Sequence, residues 1–143
     1  MTPRSGTTLI DPLIARAEQD PEAIALVFIA EDGVRTPLRT GEVHAQVLAS
    51  ARALELLGVA PDDVVILAMG HSPALIATFL GALYLGAVPS IFAYPTDKVD
   101  AAYAARVHAT AMHVGARAIV TTPRLTSHLE RQARAHGESR QIP

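Results

Sequence analysis

The chain has 143 residues, half of them hydrophobic, and a formal net charge of −2. This length fits one domain with its own core, and the charge, with no cluster of basic and aromatic residues, excludes nucleic acid as an expected partner. Because the sequence contains no cysteine, it excludes a disulfide framework, a thiol nucleophile and a cysteine-based metal site. The first six residues lack the apolar segment of a secretory signal, so we expect a cytoplasmic location.

The N-terminal segment predicts one helix followed by a β-hairpin. Residues 9–18 favour a helix, and two segments rich in β-branched and apolar residues, 23–30 and 34–38, follow it. They flank Glu-Asp-Gly at residues 31–33, a sequence typical of a tight turn. We therefore expect an antiparallel hairpin at this end of the chain.

A second helix is predicted to begin at Thr40, whose hydroxyl is placed to cap it. Glu42 falls in its first turn, where a carboxylate favours the helix dipole. We interpret Glu42 as a helix-start residue rather than a catalytic carboxylate. The apolar positions that recur at helical spacing before Gly58 are Val43, Val47, Ala51 and Leu54.

Residues 64–96 carry no charged side chain. Such a run either crosses a membrane or forms the buried centre of an α/β domain. Glycines and prolines, including Gly70, Pro73, Gly86 and Pro89, divide it into pieces shorter than the roughly 20 helical residues that a bilayer core requires. The punctuation therefore favours buried soluble structure and no membrane span.

Within this run the pattern is strand, helix, strand. Residues 64–69 are apolar on both alternations, as a central parallel strand requires. Ser72 and Pro73 are typical of a helix start, and Gly86 is typical of a helix end. Residues 88–92 then predict the next strand, parallel to the first, since a helix connects the two.

The last third predicts a helix, a third parallel strand and a final helix. The first of these helices ends at Gly115, residues 118–121 form the strand, and residues 123–135 form an amphipathic helix. The fold class is thus α/β: a three-layer, mainly parallel sheet flanked by helices, with an N-terminal β-hairpin. We assign residues 1–135 to this domain and 136–143 to a polar tail. The apolar stripe of the helix before Gly115 consists of Val99, Tyr103, Val107, Ala111 and Val114.

Four short motifs occur in the order found in one enzyme superfamily. Residues 38–43 read Leu-Arg-Thr-Gly-Glu-Val, close to a signature whose usual Tyr is absent here, and residues 57–59 read Leu-Gly-Val. Residues 62–64 read Asp-Asp-Val, and residues 84–89 read Tyr-Leu-Gly-Ala-Val-Pro, with Leu where Ala is usual. Over residues 38–123 the chain resembles the N-terminal subdomain of the acyl-adenylating (AMP-binding) superfamily of acyl-CoA synthetases, fatty-acyl-AMP ligases, peptide-synthetase adenylation domains and luciferases.

The resemblance implies ATP, Mg²⁺ and coenzyme A as cofactors of full-length members. Their phosphate-binding loop is rich in Gly, Ser and Thr, ends in Pro-Lys and lies beyond the segment matched here. The only similar run, at residues 5–8, lacks the Pro and Lys and is interpreted as an ordinary loop, and Lys98 is the only lysine. We expect this chain to bind none of these cofactors tightly and to be inactive alone.

Three residues are candidates for ligand contact. His71 and Ser72 follow the central strand at a helix start, where backbone N–H groups favour an anion, although an ordinary helix cap is the alternative. Arg106 lies in a segment that resembles a Gly-Arg-Ile stretch contacting a coenzyme A phosphate in some acetyl-CoA-type synthetases; its alternative is an exposed helix arginine. The histidines have no metal-ligand spacing, so we expect no metal site and assign no catalytic residue.

The leading hypothesis is an N-terminal fragment of an ATP-dependent acyl-adenylating ligase. Its expected partners are the remainder of the enzyme or a second chain, and an acyl carrier protein. Three origins of such a fragment are open: a truncated gene, a split enzyme completed by a second chain, or a segment cut from a longer one. The polar stretch at residues 136–143 favours truncation. The alternative is a non-catalytic α/β binding or regulatory domain that docks on a carrier protein or a synthetase. A mean hydropathy of +0.26 predicts apolar surface left for a partner.

Overall fold

The computed structural model describes residues 8–95 and 100–135. The predicted α/β class is confirmed, with an antiparallel hairpin followed by a three-stranded parallel sheet. In chain order the described elements are α1 (Asp11–Gln19), β1 (Ile24–Ile29), β2 (Arg35–Arg39), α2 (Thr40–Leu56), β3 (Val64–Ala68), α3 (Pro73–Leu85), β4 (Val88–Ile91), α4 (Ala101–His113), β5 (Ala118–Thr121) and α5 (Pro123–Ala135).

The parallel sheet has the strand order β4-β3-β5, which makes β3 the central strand, as predicted. Val65 to Ala68 are buried because helices cover both faces. On one face Val65 and Leu67 pack with residues of α2 and α3, and on the other Ile66 and Ala68 pack with α4 and α5. The predicted three-layer arrangement is therefore confirmed.

The uncharged run folds as strand, helix and strand, so the alternative of one continuous membrane helix is wrong. Ser72 caps α3, Pro73 is its first residue, and Gly86 ends it with a left-handed φ of 81°. Among the described residues, no helix combines the length and the apolar character that a membrane span would need. β3 ends at Ala68 and β4 at Ile91, each one residue before the predicted end.

The N-terminal hairpin forms its own two-stranded sheet beside α2. Its inner side chains, Leu26 and Leu38, pack against a cluster of Ile10, Val43 and Val47. The first helix begins at Asp11 rather than at residue 9, because the Asp11 carboxylate accepts hydrogen bonds from the N–H and the hydroxyl of Thr8.

The predicted capping role of Thr40 is wrong, whereas the predicted position of Glu42 in the first turn of α2 is confirmed. Arg39 occupies the N-cap of α2, and its backbone N–H donates to the Glu42 carboxylate over 2.9 Å. Thr40 is already helical, and its hydroxyl donates to the carbonyl of Asp20. The hydroxyl is used to join the helix start to the end of α1, so it cannot serve as the cap.

The two later helices largely match their predicted extents. Tyr103, Val107 and Ala111 are buried on α4, but Val114 lies after the helix and is exposed, so its place in the apolar stripe is wrong. Val99 and the predicted polar tail at 136–143 lie outside the described residues. The final helix spans Pro123–Ala135, as predicted.

Candidate functional site

The carboxyl ends of the three parallel strands meet at one edge of the sheet, which we call the carboxyl edge. The chain leaves β3 towards α3 on one face, whereas it leaves β4 and β5 towards α4 and α5 on the opposite face. Such a reversal opens a crevice at the strand ends, where ligands bind in open α/β sheets. His71 and Ser72, two of the three predicted contact residues, lie at this edge.

Ser72 acts as the N-cap of α3. Its hydroxyl accepts from the N–H of Leu75 at 3.2 Å and lies 3.2 Å from the carbonyl of Gly70, to which it can donate. The hydroxyl therefore both donates and accepts a hydrogen bond within its own turn. This is the helix-cap role that was the alternative to anion binding. Any anion at this turn would be bound by backbone N–H groups rather than by the hydroxyl proton.

His71 connects the carboxyl edge to the N-terminal hairpin. Its ring stacks on Phe28 of β1, with centroids 5.0 Å apart and planes 27° from parallel. The imidazole is exposed, so one ring face is held by Phe28 while its nitrogens remain at the surface. No local sequence pattern indicates this pairing, because Phe28 precedes His71 by more than 40 positions.

Arg106 lies farther along the same edge, on α4. Asp100 caps this helix through the N–H of Tyr103, which fixes Tyr103 in the first turn and Arg106 in the second. The Arg106 guanidinium carbon is 5.8 Å from the centre of the Tyr103 ring, a cation–π distance. The side chain is exposed, so its donors also face solvent.

Tyr94 lies between the turn at Gly70 and the Tyr103 ring of α4. A Cβ placed on Gly70 would lie 3.7 Å from the Tyr94 ring, so this ring covers the turn before Ser72. On its other side Tyr94 makes an edge-to-face contact with Tyr103, with centroids 5.8 Å apart. The Tyr94 hydroxyl is hydrogen-bonded to that of Thr122 at 3.2 Å. Tyr94 and Thr122 were not among the predicted site residues, although their position just after parallel strands could have indicated them.

The Tyr103 hydroxyl is the one buried side-chain polar atom in the described part of the chain that has no hydrogen-bond partner. The residue is 2% exposed, and burial, followed by the neighbouring Tyr94, raises the pKa of its hydroxyl, while Arg106 acts in the opposite direction. A raised pKa keeps this phenol neutral at physiological pH. The hydroxyl therefore does not act as a base at this pH.

The side chains described at this edge present hydroxyls, one imidazole and one guanidinium. Across residues 8–95 and 100–135 there is no group of three or more His, Asp or Glu side chains that could hold a metal ion. Thr8 is bound to Asp11, and the rest of the run at 5–8, like Lys98, lies outside the described residues.

Comparison with known proteins matches the sequence to the AMP-binding enzyme family over residues 13–142. A curated relative is the acetyl-coenzyme A synthetase of Chlorobaculum tepidum, 34% identical over 67 residues, which are 47% of this chain and 10% of that protein. The family match covers most of this chain, whereas the match to the synthetase covers less than half of this chain and a tenth of that enzyme.

Solved structures show the same fold embedded in larger proteins. A fatty acyl-adenylate ligase from Legionella pneumophila, crystallised with acyl adenylate and pyrophosphate, superposes with a TM-score of 0.72 at 19% identity, over 85% of this chain and 21% of that one. A benzoate CoA ligase from Burkholderia xenovorans gives 0.68 at 25% identity, over 91% and 24%. The chain thus spans less than a quarter of the length of these two relatives.

Proposed function

The chain belongs to the AMP-binding enzyme family, and from that premise we propose that it supplies the N-terminal α/β unit of an ATP-dependent acyl-adenylating ligase. Such a ligase joins a carboxylate to AMP and then transfers the acyl group to coenzyme A or a carrier thiol. The observation that carries the proposal is that the family match and the shared fold each cover most of this chain. We propose a cytoplasmic location for the assembled enzyme.

In this proposal the chain contributes structure and ligand contacts, and the remainder of the ligase contributes the phosphate loop. The described residues do not fit MgATP by themselves, because they contain no lysine and no carboxylate cluster suited to the metal. We therefore propose that the chain alone is inactive and that the remainder, on the same or a second polypeptide, is its partner. Where coenzyme A does not supply the accepting thiol, we propose that an acyl carrier protein supplies it.

Arg106 is the proposed phosphate contact of this unit. Its exposed guanidinium is held at one end by the Tyr103 ring, which restricts its rotamers and leaves its N–H donors free to meet a phosphate such as one on coenzyme A. His71 and the backbone around Ser72 are proposed as a second contact, because they lie at the start of α3 on the same edge.

The alternative function, a non-catalytic module that docks on a carrier protein or synthetase, is favoured by one observation. The outer face of the hairpin exposes Ile24, Val27 and Ile29, an apolar surface that a partner of either kind could cover. A binding module of this kind would not have to replace the corresponding N-terminal unit of a working ligase.

A chimera distinguishes the two functions. In it, residues 8–135 replace the superposing segment of the Burkholderia benzoate CoA ligase. If the chain is the N-terminal unit of a ligase, the chimera should form benzoyl-AMP, and Arg106→Ala should raise the KM for coenzyme A more than that for ATP, with Arg134→Ala as an exposed control on α5. A folded chimera without any benzoate-dependent AMP formation would favour the binding module.

A further inference from the structure

The Arg106 guanidinium lies beside a ring that no hydrogen bond orients. Its central carbon is 5.8 Å from the centre of the Tyr103 ring. The Tyr103 hydroxyl is buried and, in the described part of the chain, has no hydrogen-bond partner. The orientation of this ring is therefore set by packing, and the residues that pack on Tyr103 also determine where Arg106 can rest.

Two aromatic rings from the chain that leaves β4 pack against Tyr103. The Phe92 ring lies with its centroid 5.8 Å away and its plane at 64°, and the Tyr94 ring lies at the same distance with its plane at 77°. Aromatic pairs prefer such edge-to-face arrangements, so both contacts restrict the tilt of the Tyr103 ring. The segment after β4 thus acts on the side chain of α4 that contacts Arg106.

Tyr94 differs from Phe92 because it is also anchored away from α4. Its hydroxyl is hydrogen-bonded to that of Thr122, just after β5, at 3.2 Å. Two carbons of its ring lie 3.7 and 3.8 Å from a Cβ placed on Gly70, in the turn after β3. Tyr94 therefore contacts the chain at the carboxyl ends of the neighbouring strands, and this fixes its ring relative to the sheet.

We propose that Tyr94 is a positioning residue for Arg106: anchored on the sheet, it holds the Tyr103 ring, which in turn holds the guanidinium towards a phosphate of coenzyme A. The inference rests on the proposed function, which makes Arg106 the phosphate contact. The Tyr94 ring, rather than its hydroxyl, meets Tyr103. Phenylalanine at this position should therefore preserve the arrangement, whereas leucine should lose it.

Nuclear magnetic resonance of the monomeric chain tests the positioning without any enzyme activity. The order parameter of the Arg106 Nε–H bond should exceed that of Arg16, an exposed arginine on α1. Tyr94→Leu should lower the Arg106 value to that of Arg16, and Tyr94→Phe should leave it unchanged. A parent chain in which Arg106 is as mobile as Arg16 would overturn the proposal, and this reading stands even if Tyr94→Leu does not fold.

Kinetics of the benzoate ligase chimera separate positioning from fold stability. Tyr94→Leu should raise the KM for coenzyme A by about two- to fivefold, the loss expected for an exposed cation–π contact, with kcat and the KM for ATP unchanged. Tyr94→Phe should lower the melting temperature, because the bond to Thr122 is lost, yet leave this KM unchanged. In the Arg106→Ala background Tyr94→Leu should add nothing, because both changes remove the same contact.

The failure of this inference is distinguishable from the failure of the proposed function. An active chimera in which Arg106→Ala raises the KM for coenzyme A and Tyr94→Leu does not would refute the positioning role and leave the function intact. A folded but inactive chimera would refute the proposed function, and the order parameter of Arg106 would then decide by itself whether Tyr94 holds the guanidinium in place.

Discussion

Replacing Gly81 with alanine should loosen the contact between α2 and α3. A Cβ at this position would lie 2.8 Å from the Cβ of Ser50, 2.9 Å from the backbone N of Ala51 and 3.0 Å from the carbonyl O of Val47. Favourable contacts between carbon atoms lie near about 3.5–4.0 Å, so the helices would have to separate by roughly half an ångström or more. Two of the three neighbouring atoms belong to the α2 backbone, which cannot rotate away as a side chain can.

The expected magnitude follows from two opposing terms. Overpacking of a close contact costs about 1–3 kcal/mol, and backbone neighbours place Gly81→Ala near the upper end, whereas alanine gains about 1 kcal/mol over glycine inside a helix. We therefore expect a net loss of about 2 kcal/mol in the free energy of unfolding. Urea titration followed by circular dichroism measures it, with Thr78→Ala on the same helix expected to stay within about 0.5 kcal/mol of the parent.

The double variant Ser50→Gly with Gly81→Ala gives a second reading of the same contact. Removing the Ser50 Cβ relieves one of the three close approaches but leaves both backbone atoms in place, so Gly81→Ala should cost less in the Ser50→Gly background than in the parent, and still cost stability. The Ser50→Gly single variant is the reference, because a glycine inside α2 is itself destabilising. Gly81→Ala that is as stable as the parent, or more stable through helix propensity alone, would show that the two helices do not approach this closely.

Three further predictions concern the site and the surface. Ser72→Ala should cost about 1 kcal/mol of unfolding free energy through loss of the α3 cap, measured by urea titration, with exposed Ser90→Ala as a neutral control; equal stability of the two variants would contradict the capping role. Tyr103→Phe removes an unpartnered buried hydroxyl and should be neutral or stabilising by about 1 kcal/mol, whereas Tyr94→Phe, which loses the bond to Thr122, should destabilise by about as much. The pKa of Tyr103 is raised in the folded state, so the stability that depends on its neutral form is complete below pH about 10 and is lost as pH rises towards the folded pKa. Tyr103→Phe should therefore flatten this alkaline decline of the melting temperature. Finally, the exposed apolar side chains of the hairpin should make the isolated chain self-associate and bind a hydrophobic dye, and Ile24→Lys with Val27→Lys should reduce both signals in light scattering and fluorescence; an isolated parent chain that stays monomeric at high concentration without binding dye would contradict this expectation.

Local signals account for the parts of the fold that the sequence predicted. Ser72, Pro73 and Gly86 each act through their own backbone or the nearest turn, so their roles follow from identity and position. The prediction for Thr40 was wrong because its hydroxyl can either cap its own helix or donate to the Asp20 carbonyl. Only the packing of α1 against α2 decides between these two roles.

The candidate site could be predicted only in part, because its assembly depends on distant residues. His71 and Ser72 were found from the strand-to-helix pattern, but the stacking on Phe28 and the cover that Tyr94 gives to Gly70 require the three-dimensional arrangement. The place of β5 likewise depends on the strand order, which puts it on the far side of β3 from β4 although it follows β4 in the chain.

Carboxylate-dependent ATP–pyrophosphate exchange, measured side by side for the isolated chain and the benzoate ligase chimera, tests the central claim most directly. The account predicts exchange by the chimera with benzoate and none above a no-protein control for the isolated chain, because the unit provides the fold and the remainder provides the phosphate loop. Exchange by the isolated chain, or a folded chimera that exchanges nothing while the parent ligase remains active, would contradict it.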